Sequence, residues 1–416
     1  MTKSRIAIVG AGAAGCFCAV NVKENFPQCE VFIFESGLKP MQKLALTGGG
    51  RCNLTNTFDD VVSLDSVYPR GEKLLKRLFY TFDQNSAVSW FESHDISLYA
   101  QDDHRVFPVS NSALDVVNKL QIMLNKLGVW LFTGKKVTAV KKSETDESLE
   151  ICFSDSSSDF FDKVIVTTGG CSKSLLYQSL LDLGVEMDSP VPSLFSFKIK
   201  SNILTNLMGA SVEHAVTKIA GTKFSSEGGL LVTHFGMSGP AVLKLSSYAA
   251  RFLADNNYKC DLIVNWLGVS EDEIRSQVEN IVKQNPNKNI ISVHPKNLTQ
   301  RLWEYLVSKM EVEPQRKYSE LGKKNVNKIV SILSADIYHV SGRGQFKDEF
   351  VTCGGVLQKS VNTKTLESKA VKNLYFAGEV LDIDGVTGGF NLQAAWTTAY
   401  TVALSIARKV EENKVI

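Results

Sequence analysis

The apolar run Arg5-Ile6-Ala7-Ile8-Val9 stops at Gly10-Ala11-Gly12-Ala13-Ala14-Gly15, and an Ala-rich helical stretch follows to about Phe26. A second β-rich run over 30–35 ends in Glu35, 20 positions past Gly15. Strand, glycine turn, helix and acidic strand end in this order predict a β-α-β unit that binds a dinucleotide. Gly10 permits the tight turn, Gly12 lets the backbone approach a pyrophosphate, and Gly15 allows the helix to pack closely on the strand. The helix N-terminus offers N–H groups and a positive dipole end to phosphates, while Glu35 is placed to accept hydrogen bonds from a ribose.

Two further glycine clusters extend this site. Thr47-Gly48-Gly49-Gly50-Arg51-Cys52-Asn53-Leu54-Thr55-Asn56 sets three glycines beside an arginine and two amides, which suits backbone contact with an extended anionic ligand. Glycines lose much entropy on ordering, so a run of them implies a required conformation. The stretch from Gly378 and Glu379 to Gly388-Gly389-Phe390-Asn391-Leu392-Gln393 leads from a strand end through glycines into a long helix. A second helix N-terminus suits a flavin, whose reduction places negative charge near N1 and the C2 carbonyl. Nicotinamide has no such need, and FAD is the expected cofactor. Thr167-Thr168-Gly169-Gly170 lacks the pattern of a second fingerprint. A dedicated NAD(P) domain is therefore not expected, which leaves transiently bound NAD(P)H, or oxygen, as the electron partner.

On these motifs, together with Gly228-Gly229-Leu230-Leu231-Val232-Thr233-His234-Phe235-Gly236-Met237-Ser238-Gly239-Pro240 and the segment from Tyr375 to Ala395, the chain resembles a family of bacterial flavoproteins. Its members have been described as aminoacetone oxidases or NAD(P)H-dependent bile-acid reductases. The resemblance implies a glutathione-reductase-like FAD domain interrupted by a β-barrel and helical insert. It places Gly10, Gly12, Ala14 and Gly15 at the pyrophosphate, Glu35 at the adenosine ribose and the Val137 backbone at the adenine. Gly378, Glu379, Gly389, Asn391 and Leu392 then surround the ribityl chain and flavin, with Lys43, Arg51, Cys52 and Asn53 in the loop nearby. Ala13, Ser36, Gly49, Gly169 and Gly388 complete the candidate cofactor contacts. One departure is His104, where the family usually has glycine ahead of Arg105-Val106-Phe107-Pro108.

The rest of the chain fits an α/β fold of this kind. Val129–Phe132, Lys136–Val140, Lys163–Thr167, Ala335–Val340 and Asn373–Ala377 read as strands. Amphipathic stretches at about 271–284, 297–310 and 318–333 suggest a small helical subdomain, opened by Ser270 and Glu273 at capping-box spacing. The expected domains are 1–192 and 345–416 as two segments of a Rossmann-type FAD-binding domain. Between them lies the insert 193–344, with a barrel at about 193–268 and 334–344 and helices at about 269–333.

Lys plus Arg number 46 and Asp plus Glu 44, which gives no whole-chain footprint of a nucleic-acid or anionic-membrane partner. The stretch after Gly389 contains Asn391, Gln393 and several threonines, and lacks the roughly 20 consecutive apolar residues of a bilayer span. A cytoplasmic protein acting on a small-molecule substrate is expected, and nothing in the sequence sets its oligomeric state. Eight cysteines without a C-x-x-C pair suggest reduced thiols rather than disulfides or zinc. The Asn-x-Thr triplets at Asn53 and Asn297 match a glycosylation pattern that a cytoplasmic chain does not use.

The expected function is an FAD-dependent oxidoreductase that moves a hydride between flavin and a small organic molecule, with NAD(P)H as a transient donor. Rival readings are a flavin-dependent amine oxidase that uses oxygen, a flavoprotein acting on tRNA, and a protein that keeps FAD as a structural or signalling element. His234 reads as a turn residue of the insert, Cys52 as a loop residue rather than a thiolate, and Tyr338 and His339 show no metal-ligand spacing. No general acid or base is assigned.

Overall fold

Arg5–Val9 is buried along almost its whole length, as the central strand of a parallel sheet must be. In the computed structural model, which describes residues 3–170, 174–344 and 351–412, it lies between Lys163–Val166 and Glu30–Phe34. Ile8 stands level with Ile165 on one side and Ile33 on the other. Leu374–Phe376 and Trp130–Phe132 complete a five-stranded sheet, parallel throughout. Its outer strand Leu374–Phe376 comes from the far end of the chain. The sheet is therefore built from two segments around an insert: residues 1–191 and 351–416 form one compact unit and residues 192–350 another.

The first helix, Ala13–Asn25, is buried continuously from Ala14 to Val22 and has no polar stripe, because it is enclosed on all sides. The last helix, Phe390–Glu412, packs along it. Phe17 meets Phe82, Trp90, Phe91 and Trp396 with ring centroids 4.4–5.8 Å apart, in the edge-on and tilted arrangements that aromatic quadrupoles favour. A meander of Val137–Lys142, Leu149–Phe153 and Ser158–Phe161 packs Phe153 and Phe161 against Phe34. A further small sheet joins Thr55–Asn56, Arg105–Pro108 and Leu98–Ala100.

The insert holds a closed six-stranded barrel, in the order Phe197–Ile199, Gly236–Ser238, Ser225–Thr233, Ser211–Ile219, Cys260–Asn265, Asp336–Arg343. Closure leaves no edge strand open to wrong pairing. Helix Glu271–Gln284 opens with the expected capping box, Ser270 and Glu273 each capping the other's backbone N–H. The stretch expected over 297–310 begins at Gln300, because the Thr299 hydroxyl caps it. The stretch expected over 318–333 divides into a 3-10 turn at Tyr318–Glu320 and a helix at Gly322–Ser334. Asp336 ties barrel to helices: buried, it accepts from Trp266 Nε1 at 3.1 Å and from Tyr338, and it pairs with Lys309.

Met187–Ser193 forms a strand although it contains Pro190 and Pro192. Among the described residues it pairs only with Val351–Val356, and a two-stranded ladder consists of edges, where a missing N–H is tolerated. The seven described cysteines are free thiols. Among the described residues no helix is long and apolar enough to cross a membrane, and no group of side chains is arranged to hold a metal ion.

Candidate functional site

Gly10 leaves the first strand at φ 104°, and a Cβ there would lie 2.7 Å from the Thr167 carbonyl oxygen. A Cβ at Gly15 would lie 2.0 Å from the Gly10 oxygen and 2.6 Å from Thr167 Oγ1. The turn is closed against its neighbouring strand, and the Thr167 hydroxyl donates to the carbonyls of Val9 at 3.1 Å and Gly10 at 2.9 Å. Gly12 differs, since a Cβ there would meet nothing within 4 Å. Beside it, at Ala13 and Ala14, the helix starts with neither a side-chain cap nor an acidic residue in its first turn. Uncapped N–H groups at a positive dipole end make this a place for an anion.

Glu35 organises the same turn. Its Oε2 accepts from the Ala11 N–H at 2.8 Å, and its Oε1 from the Gly37 N–H at 2.7 Å and the Ser36 hydroxyl at 3.2 Å. Oε2 thus carries a single backbone donor and keeps lone-pair capacity for a hydroxyl. The N–H of Lys135 donates to the Glu35 carbonyl at 2.8 Å and that of Gly134 to Gly37 at 2.9 Å. This brings the start of the Val137 strand alongside Glu35, with Val137 buried at a register shift against Phe153.

The helix that starts at Gln42 breaks where the Thr47–Asn56 cluster begins. Thr47 is extended (φ −64°, ψ 147°), and Gly48, Gly49 and Gly50 follow at φ 59°, 69° and 85°. A Cβ at Gly48 would lie 2.7 Å from the Asn53 nitrogen, whereas Gly49 and Gly50 face open space. The Arg51 guanidinium sits 4.3 Å from the Phe107 ring centroid, and its Nε donates to the Gly48 carbonyl at 3.3 Å. Cys52 is buried, and burial pushes its thiol up to about 12. It is therefore a neutral thiol at physiological pH rather than a nucleophile.

Gly378 brings the third cluster to the first. At φ 77° its Cβ position lies 2.7 Å from the Ala14 Cβ, and its N–H donates to Thr398 Oγ1 of the last helix at 2.9 Å. Next to it, Glu379 Oε2 stands 4.0 Å from Lys43 Nζ and 3.4 Å from a Cβ placed on Gly169, while Oε1 accepts from the Thr352 N–H at 2.8 Å. The second cluster is welded to the third elsewhere. With its amide oriented to match the neighbouring donor and acceptor, Asn53 donates to the Thr55 carbonyl at 3.1 Å and accepts from the Gly389 N–H at 3.0 Å. Asn56 Nδ2 donates to the Gly388 carbonyl at 3.1 Å, and the Thr55 hydroxyl to Gln393 Oε1 at 2.6 Å. Asn391 closes the loop by accepting from the Gly385 N–H and donating to its carbonyl, both at 2.8 Å. Leu392 is half-buried in the first turn of that helix.

The predicted residues thus fall into one linked set in the first unit. Val137, Glu35 and Ser36 lie together; Ala14 meets Gly378 beside Glu379, Lys43 and Gly169; Asn53 meets Gly389. Sequence reasoning missed Thr167, Thr55 and Gln393, whose signal was a polar side chain two to five residues from a glycine, and the pairing of Arg70 with the buried Asp384, which no spacing reveals. His234 is exposed at the tip of a barrel hairpin, edge-on to Phe235 at 4.8 Å. His339 is exposed and pairs with Asp261 at 2.6 Å.

A family profile described as the HI0933-like protein Rossmann domain matches residues 4–405. The ribosomal RNA dihydrouridine synthase of Haemophilus influenzae is 31% identical over 411 residues, 97% of this chain and 98% of that protein. The 3-dehydro-bile acid delta(4,6)-reductase of Clostridium scindens is 27% identical over 419 residues, 98% and 100% of the two chains. Among solved structures, the 3-ketosteroid delta1-dehydrogenase of Sterolibacterium denitrificans has the same fold, with a TM-score of 0.51 at 10% identity over 97% of this chain and 99% of that one.

Proposed function

Because this chain belongs to the HI0933-like family of Rossmann-domain, FAD-dependent oxidoreductases, we propose that it reduces a carbon–carbon double bond conjugated to a carbonyl, with uridine in ribosomal RNA as substrate. The observation that carries the reading is the end-to-end likeness to a ribosomal RNA dihydrouridine synthase, which runs through the insert as well as the cofactor domain. A cofactor domain recurs with many chemistries, so likeness confined to it would say little about substrate. The names of the two relatives also describe one kind of chemistry. Dihydrouridine arises by saturating the uracil C5=C6 bond next to a carbonyl, and a 3-dehydro-bile acid delta(4,6)-reductase saturates double bonds in conjugation with a 3-keto group.

The chain fits FAD where a Cβ would intrude on a ligand, since Gly12, Gly49 and Gly50 all face open space. In this reading Gly10, Gly12, Ala13, Ala14 and Gly15 hold the pyrophosphate at the uncapped helix start, Glu35 and Ser36 the ribose, and the Val137 backbone the adenine. Lys43, Gly49, Arg51, Cys52, Asn53, Gly169, Gly378, Glu379, Gly388, Gly389, Asn391 and Leu392 line the remainder. FAD, held by these residues, would supply two-electron chemistry, relaying hydride equivalents from transiently bound NAD(P)H to a substrate double bond that takes its balancing proton from solvent. The start of the last helix, fixed by Asn53 and Asn391, stabilises negative charge placed beside it.

The bile-acid relative favours a second reading, a free enone as substrate. Anaerobic incubation of the FAD-loaded protein with NADPH or NADH and protein-free ribosomal RNA, followed by nucleoside mass spectrometry, separates the two. Dihydrouridine is the expected product. Turnover of a 3-keto-4-ene steroid with unchanged RNA would move the assignment to small molecules, and rapid flavin reoxidation by air after an amine substrate would make the protein an oxidase.

A further inference from the structure

Whole-chain charge is nearly balanced, yet ten of the lysines and arginines and only four of the acidic residues lie between positions 283 and 328. The fold gathers part of this excess. Asn289 bridges to Lys317 in a short antiparallel pairing, with Ile290 N–H donating to the Arg316 carbonyl at 2.9 Å and Tyr318 N–H to the Lys288 carbonyl at 3.0 Å. Ile290 and Tyr318 point inward and are buried, so the pairing is anchored from beneath. One 3-10 turn later, Lys323 and Lys324 occupy the first turn of Gly322–Ser334.

Lys288, Lys317, Lys323 and Lys324 are all exposed, and among the described residues none of them forms an ion pair with a carboxylate. Glu320 is the one acidic residue between 314 and 328. The helix start at Gly322 has no side-chain cap and no acidic residue, and its lysines stand at the positive end of the helix dipole. The neighbouring helix Glu271–Gln284 shows the ordinary solution, with three acidic residues and a capping box. Unpaired cations set against the helix's own field are costly for folding alone, and become favourable when a polyanion covers them.

Resting on the reading of ribosomal RNA as substrate, we infer that this basic segment of the insert, through the exposed Lys288, Lys317, Lys323 and Lys324, docks the phosphate backbone of the RNA. Its role is affinity and orientation. Phosphate contacts position a nucleic acid and carry no sequence information, and each releases counterions, which makes binding steeply dependent on salt.

The test uses full-length FAD-loaded protein and protein-free total ribosomal RNA. The K288Q/K317Q/K323Q/K324Q variant is expected to raise the KM for RNA at least about tenfold and to lower the slope of log affinity against log salt by about 3, at about 0.7–0.9 per lost contact. Its rate of flavin reduction by NADPH and its thermal unfolding stay as in the parent. The corresponding four Lys→Arg changes retain RNA affinity, which a merely structural role of lysine would not ensure. Formation of dihydrouridine by the parent together with unchanged KM and slope in the glutamine variant overturns the docking face alone. The same holds if the glutamine changes abolish binding to phosphatidylglycerol vesicles and leave RNA binding intact. If the parent forms no dihydrouridine in RNA, the substrate reading fails first and the docking face with it.

Discussion

Arg70 grips both carboxylate oxygens of Asp384, through Nε and Nη2, and Asp384 is fully buried. The pair fixes the loop that enters the last helix, because the next residue, Gly385, is the one clamped by Asn391. Arg70→Ala leaves a buried carboxylate without its cation and is expected to destabilise the protein by about 3–5 kcal/mol. Chemical unfolding measures the loss, and visible absorbance after gel filtration shows whether FAD is retained. The paired change R70M/D384L recovers most of the stability, since apolar replacement of a buried pair is often neutral.

Gly12 and Gly15 are expected to part company on substitution by alanine. At Gly15 the new Cβ would sit 2.0 Å from a backbone oxygen that cannot withdraw, and the variant is expected to be recovered unfolded. At Gly12 the backbone is in an ordinary extended conformation (φ −78°) with open space around it, so G12A folds with an unchanged melting temperature when free of FAD. Its FAD affinity falls about tenfold, a loss of about 1.4 kcal/mol, as read by fluorescence titration. Undiminished affinity in G12A would remove the pyrophosphate from this turn.

His104 carries a side chain at φ 64°, the left-handed region that costs an L-residue about 1–2 kcal/mol. Glycine adopts that conformation without the steric cost. The imidazole is held between neighbours, with Nε2 2.7 Å from Asp60 and Nδ1 3.2 Å from the Thr57 hydroxyl. H104A, which keeps the strain and loses the contacts, is expected to lower stability by about 1 kcal/mol, whereas H104G stays within about 0.5 kcal/mol of the parent. Paired thermal melts distinguish them.

The Asp159 carboxyl is held below its ordinary value, first by the hydrogen bond from Arg5 and then by backbone and charge effects that outweigh partial burial. A depressed folded-state pKa adds stability that is present above the ordinary carboxylate value near 3.8 and is lost as pH falls through the folded-state value. Both side chains are more than a third exposed, so solvent screening keeps the contribution within about 1 kcal/mol. D159N is expected to melt slightly below the parent at pH 6.5, with the gap closing as the pH falls through the folded-state value of Asp159. A gap that widens in acid would contradict the assignment.

Cys52 in the native protein is expected to resist iodoacetamide at pH 8, because its thiol is both buried and pushed up to about 12. Peptide mapping after brief alkylation finds Cys52 unlabelled and the half-buried Cys152 labelled. Denaturation before alkylation exposes both.

Local signals in the chain were read well because they depend on local physics. The parallel strands announced themselves as short buried runs, and Ser270 with Glu273 set a helix start to the residue. The glycine turns were visible as turns, but their partners were not. No spacing reveals that Asn53 meets Gly389 or that Ala14 meets Gly378, since those contacts form only when the two segments of the sheet assemble. Strand Met187–Ser193 was hidden by two prolines that only an edge tolerates. The net charge concealed the basic segment for a simpler reason: averaging over 416 residues cancels a local excess.

The sheet's outer strand, Leu374–Phe376, lies beyond the insert in the chain. On the ribosome, Lys163–Val166 therefore emerges as an unprotected edge and must wait for its neighbour until all of the barrel and its helices have been made. That interval exposes hydrogen-bonding groups to foreign strands. A barrel that folds early, on its own closed core, shortens the search its late partner must make by keeping the two cofactor segments on a compact tether.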